Sequence, residues 1–451
     1  VYAVPVFDRW LVHAPLHAVT ALVNAEALRA LRATRREDLP LALADLAAEL
    51  ACPPRPEPRP AEGPARPDFL GLIPTRTCNL SCVYCAFGAP GAKPESMPLK
   101  TAVAAVDWMA DRACEAGRST LDVHFFGGEA FCEPDVVDVT VHRARARGAE
   151  LGLTPRFEVS TNGCLDDVRC RFVADHFYWV VLSIDGPPDL QDAHRPFRSG
   201  AGSYERAAQT ARVLARSRVG LSLRVTVTRS STGRLSEIAS WLCGELQPDS
   251  IVFEPLRPTP ESAAAGLLPP DPWAFVPACV EAFHVARALG VEPVFSAASI
   301  GELRHSFCPV GRDTAIVAPD GRIAACYMQE SEWRAYGLDL TFGRISATGE
   351  VTISQPALER LRVLPRYGTR CTSCLARWHC AGGCHLSPAA LERSRPESGF
   401  CVSARLITVC ELLGRLGQEE EAGRLLQDSA ALTGLALRGS DLIDDWDQGS
   451  A

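Results

Sequence analysis

The sequence predicts an α/β protein built around a parallel sheet. Six short β-branched or apolar runs recur between Phe69 and Pro255, separated by amphipathic helical stretches. Strands joined by helical crossovers pair in parallel and carry their helices on the outer face. Unusual residues stand just past the strand ends, where such sheets gather ligands. Periodicity alone does not choose between an open sheet and a barrel.

Composition narrows the class. The chain has 451 residues, room for about two to four domains. Its 47% hydrophobic and 22% charged residues are those of an ordinary globular protein. A net charge of −8 lacks the basic footprint of a nucleic-acid binder. No apolar stretch approaches a membrane span. The start, Val1-Tyr-Ala-Val-Pro-Val-Phe-Asp-Arg9, has no basic segment followed by an apolar run, which argues against a signal peptide. The expectation is a cytoplasmic protein with neither nucleic-acid nor membrane partners. In a reducing compartment, eighteen cysteines argue for metal ligation over disulfides.

Along the chain, residues 1–51 read as a small α+β module. A strand pair around Trp10–Ala14 and Ala18–Val23 precedes helical spacing through Ala25–Leu31 and Leu41–Leu50. Residues 52–68 hold seven prolines and read as a stiff, extended linker. Residues 69–300 carry the repeats, with strands at Phe69–Thr75, Leu121–Phe126, Phe157–Thr161, Trp179–Asp185, Leu221–Thr228 and Ser250–Pro255. The helical patterns between them lie near Lys100–Ala116, Pro134–Leu151, Asp166–Ala174, Tyr204–Ser217 and Leu235–Leu246. A further helix is expected at Phe275–Leu289. Residues 301–405 are loop-rich and hold seven cysteines. Residues 406–451 read as a helix followed by an acidic tail from Gly439, expected to fray.

The first motif is Cys78-x3-Cys82-x2-Cys85, directly after the first strand of the repeat. Three thiolates at this spacing can hold three irons of a cubane and leave the fourth without a protein ligand. A structural zinc site would normally use a fourth protein ligand. The triplet resembles the signature of the radical S-adenosylmethionine (SAM) enzymes, whose open iron chelates the amino and carboxylate groups of SAM. Gly127-Gly128-Glu129 follows the next strand and resembles the motif that contacts the methionine amine. Two glycines let backbone approach closely, and a carboxylate can receive a cation. Tyr84 matches the family's aromatic position beside the adenine. Ser160, Asn162, Ser183 and Asp185 are candidate partners for ribose or carboxylate, although Asn-Gly and Asp-Gly are also strong turn signals. The resemblance implies a reduced cluster that cleaves SAM to a 5′-deoxyadenosyl radical, which abstracts a hydrogen atom from the substrate.

The second constellation is Cys308-x12-Gly321-x4-Cys326, then Cys371-x2-Cys374-x5-Cys380-x3-Cys384-x16-Cys401. Taken alone, Cys371 to Cys384 would suit a zinc site. In this order the seven cysteines resemble the SPASM extension, which holds two auxiliary clusters. The resemblance implies a partial (β/α)6 TIM-like barrel followed by a SPASM domain, with three [4Fe-4S] clusters in all. It assigns Cys371, Cys374, Cys380 and Cys401 to the outer auxiliary cluster, and Cys308, Cys326 and Cys384 to the inner one. Several members have another cysteine shortly before the Cys308 position. Here that stretch has none, so the inner cluster is expected to have an open iron, capped by Glu302, His305, solvent or substrate.

Anaerobic sulfatase-maturating enzymes share this architecture and place a basic aspartate immediately after the cysteine matching Cys326. Here that residue is Tyr327, a poorer base at neutral pH, which argues against formylglycine formation and leaves a hydrogen relay or a packing role. Ser183-Ile-Asp-Gly186 and His194-Arg-Pro-Phe-Arg198 resemble the peptide-modifying members. Arg195 and Arg198 are carboxylate-binding candidates, with solvated loop arginines as the default. Cys132 and Cys164, just beyond strand ends, are the thiols to test as hydrogen donors. The N-terminal module resembles the PqqD-like elements that bind leader peptides by strand addition; a packing cap is the alternative.

The resemblance therefore implies a peptide maturase (RiPP biosynthesis) that forms an oxidative cross-link, thioether, C–C or C–O, in a ribosomal precursor peptide. An external electron donor such as flavodoxin or ferredoxin would reduce it. Peptide epimerisation, oxidation of a small-molecule alcohol or amino sugar, and a non-enzymatic zinc scaffold are the alternatives.

Overall fold

Among the described residues, strand order in the computed structural model runs between two unpaired edges, so the main sheet does not close on itself. The structure describes residues 1–33, 40–87, 94–364, 371–386, 398–437 and 440–442; the expected tail beyond them lies outside the described residues. Strands β1 (Tyr2–Val6), β2 (Arg9–Ala14) and β3 (Val19–Asn24) precede helices α1 (Ala25–Ala33) and α2 (Ala44–Ala51). The repeats follow as β4 (Leu70–Leu72), α3 (Leu99–Glu115), β5 (Thr120–Phe125), α4 (Pro134–Leu151), β6 (Thr154–Thr161), α5 (Asp167–His176) and β7 (Trp179–Ser183). They continue with α6 (Pro188–His194), α7 (Tyr204–Ala215), β8 (Gly220–Val227), α8 (Leu235–Leu246), β9 (Ser250–Pro255) and β10 (Glu292–Val294).

All six expected strands form and pair in parallel from β4 through β9. One strand face packs on the helices and is fully apolar: Val123 and Phe125, Phe157 and Val159, Val180 and Leu182, Leu221, Leu223 and Val225 are all buried in the main core. Burying those side chains at about 1.5–3 kcal/mol each is what holds the helices to the sheet.

The segment read as loops contributes four short strands. These are β11 (Ala315–Val317), β12 (Arg322–Ala324), β13 (Thr341–Ile345) and β14 (Val351–Ile353). β11 pairs in parallel with β4, and the rest form an antiparallel meander, giving an eleven-stranded sheet in the order β10-β9-β8-β7-β6-β5-β4-β11-β12-β13-β14. Gly321 makes the β11–β12 turn: its φ is +81° and any Cβ would collide with the Ile345 carbonyl.

Two expectations about the N-terminus change. The module has three strands rather than two, because β1 (Tyr-Ala-Val-Pro-Val) was hidden by its proline. It is also not separate. A final strand, β15 (Asp441–Leu442), pairs with the edge of β1, so the sheet order is β15-β1-β2-β3, and Tyr2, Val4, Val6 and Leu11 belong to the main core. The proline-rich segment is extended, as its composition requires, but it is strapped down. Arg362 donates to the carbonyls of Gly63 (2.7 Å) and Pro64, while Asp313 accepts from the Arg66 amide at 3.0 Å. Arg362 and Asp313 are themselves a buried ion pair, with Nε–Oδ1 at 2.8 Å.

Candidate active site

The cysteine loop leaves the C-terminal end of β4 and is held by backbone contacts before any ligand is considered. Ser81 and Val83 amides donate to the carbonyls of Pro196 and His194 (2.8 and 3.0 Å), and Arg198 donates to that of Asn79. Cys78 and Leu80 form one apolar cluster, with Cys82, Cys85, Cys164 and Phe197 packed on it. The three predicted thiols are therefore together. Cys78 Sγ faces the Leu80 amide at 3.4 Å and Asn162 Nδ2 at 3.5 Å, the N–H···S contacts that tune cluster sulfurs. Burial pushes the Cys82 thiol up to about 11 and Cys78 higher still. Only bound cations would hold these groups as thiolates.

The Gly127-Gly128-Glu129 turn has a clear physical reason. A Cβ on Gly127 would lie 2.5 Å from the Thr75 carbonyl, and one on Gly128 within 2.6 Å of that of Arg76. The glycines thus admit the backbone that leads into the cysteine loop. Gly128 and Glu129 amides donate to Thr75 and Thr77 carbonyls. Glu129 is buried, and burial raises its pKa. Its Oε1 accepts from Thr161 Oγ1 (2.9 Å) and the Phe131 amide, and its Oε2 from the Asn162 amide (2.8 Å). A carboxylate offers about four acceptor positions, so about one remains, on Oε2.

The other strand-end candidates divide. Asn162 turns its side chain back to the loop, donating to Asn79 Oδ1 (2.7 Å) and accepting from the Cys164 amide. Asp185 is wholly enclosed. It accepts from Tyr84 Oη, from Arg195 Nη2 (3.0 Å) and from the Thr226 amide (3.0 Å), and His194 Nδ1 lies 3.2 Å away. Burial alone would raise its pKa, but Arg195 and His194 hold the carboxyl below the usual range. Arg195 is therefore a buried ion-pair partner rather than a solvated loop residue, and its guanidinium also lies over the Tyr84 ring at 5.3 Å. Ser160 and Ser183 are half-buried on the sheet face turned away from the helices, with no side-chain hydrogen bond among the described residues.

Four of the seven downstream cysteines gather in one place. Cys371, Cys374, Cys380 and Cys401 line one cavity with Arg377 and Arg405. Cys326 lies within electrostatic reach of Cys384, and each of Cys308, Cys326 and Cys384 is partly buried against the main core. Glu302 is held by Arg304 at 2.8 Å on the surface. Among the described residues no three His, Cys, Asp or Glu side chains converge tightly enough for a single metal ion; a cubane takes each thiolate on a separate iron and suits wider spacing. An all-sulfur donor set, partly withdrawn from water and with N–H contacts to Cys78 and Cys384, fits iron–sulfur ligation. Tyr327 is half-buried, its hydroxyl set against Gly71 of β4 and its ring against Phe126 with centroids 4.7 Å apart.

Sequence reasoning named Ser160 and Ser183 on the inner face of the sheet but missed His124, Glu158 and Arg224 there. His124 and Glu158, and Ser183 and Arg224, stand level with each other on neighbouring strands. Arg224 is exposed and makes no ion pair among the described residues. Parallel sheets are normally apolar on both faces; the alternation Arg156-Phe-Glu158-Val-Ser160 was the available signal.

Residues 72–238 match the radical SAM superfamily. The chain carries a radical SAM domain. It is similar to the serine-type anaerobic sulfatase-maturating enzyme of Klebsiella aerogenes, 24% identical over 339 residues, which is 70% of this chain and 79% of that protein. Over 137 residues, 29% of this chain and 32% of that one, it is 31% identical to the PqqA peptide cyclase of Methylorubrum populi. Among solved structures, anSMEcpe with bound AdoMet superposes with a TM-score of 0.60 at 16% identity, covering 82% of this chain and 98% of that one. Streptococcus suis SuiB bound to S-adenosylmethionine superposes at 0.52 with 18% identity, covering 74% and 76%. The radical SAM α/β fold with its mostly parallel sheet is thus shared. No described helix is long and apolar enough to cross a membrane.

Proposed function

We propose that this chain is a radical SAM peptide maturase of SPASM type, acting on a ribosomal precursor peptide and forming an oxidative cross-link. The observation that carries the reading is the gathering of Cys78, Cys82 and Cys85 beside Glu129, with Cys371, Cys374, Cys380 and Cys401 lining one further cavity and Cys326 near Cys384. Cys78, Cys82 and Cys85 would hold the SAM-binding [4Fe-4S] cluster. Cys371, Cys374, Cys380 and Cys401 would hold the outer auxiliary cluster, and Cys308, Cys326 and Cys384 the inner one. When bound, the reduced cluster and SAM together supply a carbon radical able to abstract hydrogen.

This chain's residues orient and enclose that chemistry. Glu129 has about one acceptor position left for the SAM amine. Ser183 and the uncommitted Arg224, side by side on β7 and β8, suit its carboxylate. Asn162 and Asp185 act behind them: Asn162 braces Cys78, and Asp185 fixes Tyr84 and Arg195. Residues 69–300 would form the catalytic core and residues 301–405 the auxiliary-cluster domain. The N-terminal sheet would recruit the peptide as an added strand on β3; its opposite edge, β1, is already paired with β15. That SuiB is solved bound to precursor peptide SuiA supports this substrate class. A flavodoxin or ferredoxin would deliver electrons.

Anaerobic incubation with SAM, reductant and candidate precursor peptides drawn from short open reading frames near the gene, read by mass spectrometry, tests the reading. The expected product has lost two hydrogens. Deuterium uptake from solvent with no hydrogen loss would replace cross-linking by epimerisation, with Cys132 or Cys164 as donor. Absence of any SAM cleavage would remove the enzymatic reading.

A further inference from the structure

Glu158 stands out on the inner face of the sheet. Its neighbours on β6, Phe157 and Val159, point into the helix-packed core, so its carboxyl faces the other way. It lies level with His124 on β5, which lies level with Gly71 on β4, the glycine against which Tyr327 packs. Other carboxylates of this face are engaged. Asp122 accepts from Arg156 Nε (2.7 Å) and Thr120 Oγ1 (2.7 Å), and Glu254 accepts from the Ser296 amide (3.1 Å). Glu158 accepts no hydrogen bond among the described residues; His124 Nε2 stands 3.6 Å away, beyond hydrogen-bond range.

A carboxylate two-thirds withdrawn from water and without a donor is unfavourable. Its side chain keeps 33% of its exposure, so the vacancy for a donor is reachable. Aromatic rings lead to it: Phe87, Phe126 and Tyr327 follow one another as tilted pairs with centroids 4.7 Å apart, and Phe69 lies flat on His124 at 4.0 Å. A carboxylate beside aromatic faces is the chemistry that receives an ammonium or guanidinium group.

We propose that Glu158 is a specificity-determining residue that accepts a lysine or arginine side chain of the peptide on the inner face of the sheet. The inference rests on the peptide-maturase reading and adds the class of residue the site selects. The groups facing Glu158 are Asp122 and His124 on β5, Arg156 on β6 and Tyr327; Trp179, level with it on β7, is uncharged. Burial, then Asp122, pushes Glu158 up to about 7, while burial lowers His124 to about 4 and keeps it neutral. Cation binding must therefore discharge a proton from Glu158, and affinity should rise with pH across neutrality.

The test uses the cluster-loaded protein and two pentapeptides, Gly-Gly-Lys-Gly-Gly and Gly-Gly-Gln-Gly-Gly, with binding followed by NMR. Wild type should prefer the lysine peptide, more strongly at pH 8 than at pH 6. Glu158→Gln should weaken lysine binding about tenfold to a hundredfold, as loss of a charged hydrogen bond implies, and leave the glutamine peptide unchanged. Glu158→Lys should prefer Gly-Gly-Glu-Gly-Gly. Equal or undetectable binding of both peptides by wild type, or a preference that survives Glu158→Gln, overturns the proposal. SAM cleavage in the same wild-type sample separates the two failures: without it the maturase reading falls, and with it only the role of Glu158 does.

Discussion

Asp185 and Glu158 are two inner carboxylates with opposite electrostatic fates. Asp185 is enclosed by Arg195, His194 and Tyr84, and its folded-state pKa lies below the ordinary value. Its stabilisation is complete above the unfolded-state pKa of about 4 and is lost as pH falls below it. Asp185→Asn should therefore destabilise by about 3–5 kcal/mol at neutral pH, because it strands the Arg195 charge. That deficit, read from urea unfolding, should shrink on acidification. Glu158 behaves the other way. Its raised pKa penalises the folded state as pH rises from about 4 to 7 and beyond. Glu158→Gln should stabilise the chain by about 1–2 kcal/mol at pH 8, after discounting for solvent screening, and leave it unchanged at pH 4. A stability gain that is independent of pH would contradict the assignment. Gly128→Ala, which drives a Cβ into the backbone of Arg76 and Thr77, should lower iron content sharply. Gly233→Ala, with nothing within 4 Å, should not.

At the scale of elements, the proline-rich strap and the two chain termini were the hardest parts to read. Composition required residues 52–68 to be extended, but nothing local revealed that Arg362 and Asp313, roughly three hundred residues away, would hold them. Arg362→Ala leaves Asp313 buried and unpaired. It should cost about 3–5 kcal/mol and expose Arg55, Arg59 and Arg66 to trypsin, seen as early cleavage in that segment. Strands β11 to β14 were missed for a related reason: each has three to five residues, too few for a period-2 pattern to emerge. β15, at two residues, acquires its meaning only from the β1 edge.

At the scale of the whole molecule, Cys371, Cys374, Cys380 and Cys401 meet in one cavity, and Cys326 and Cys384, 58 residues apart, come near each other. Metal and sulfide analysis after anaerobic purification should give about twelve irons per chain with matching sulfide, and Cys78→Ala should remove about a third of them. Zinc without sulfide would instead indicate a scaffold. The α/β class, the six parallel strands and the closeness of Cys78, Cys82 and Cys85 were legible in the residues alone, because burial periodicity and short spacings are local properties of the chain. Whether a strand-end polar group is offered to a ligand or used by the protein was not legible. Asn162 and Asp185 turned inward, Ser183 and Arg224 stayed open, and Glu158 has no hydrogen-bond donor among the described residues. Partners that lie on other strands decide this: a hydrogen bond is satisfied by groups brought together through folding, at sequence distances that no local pattern records.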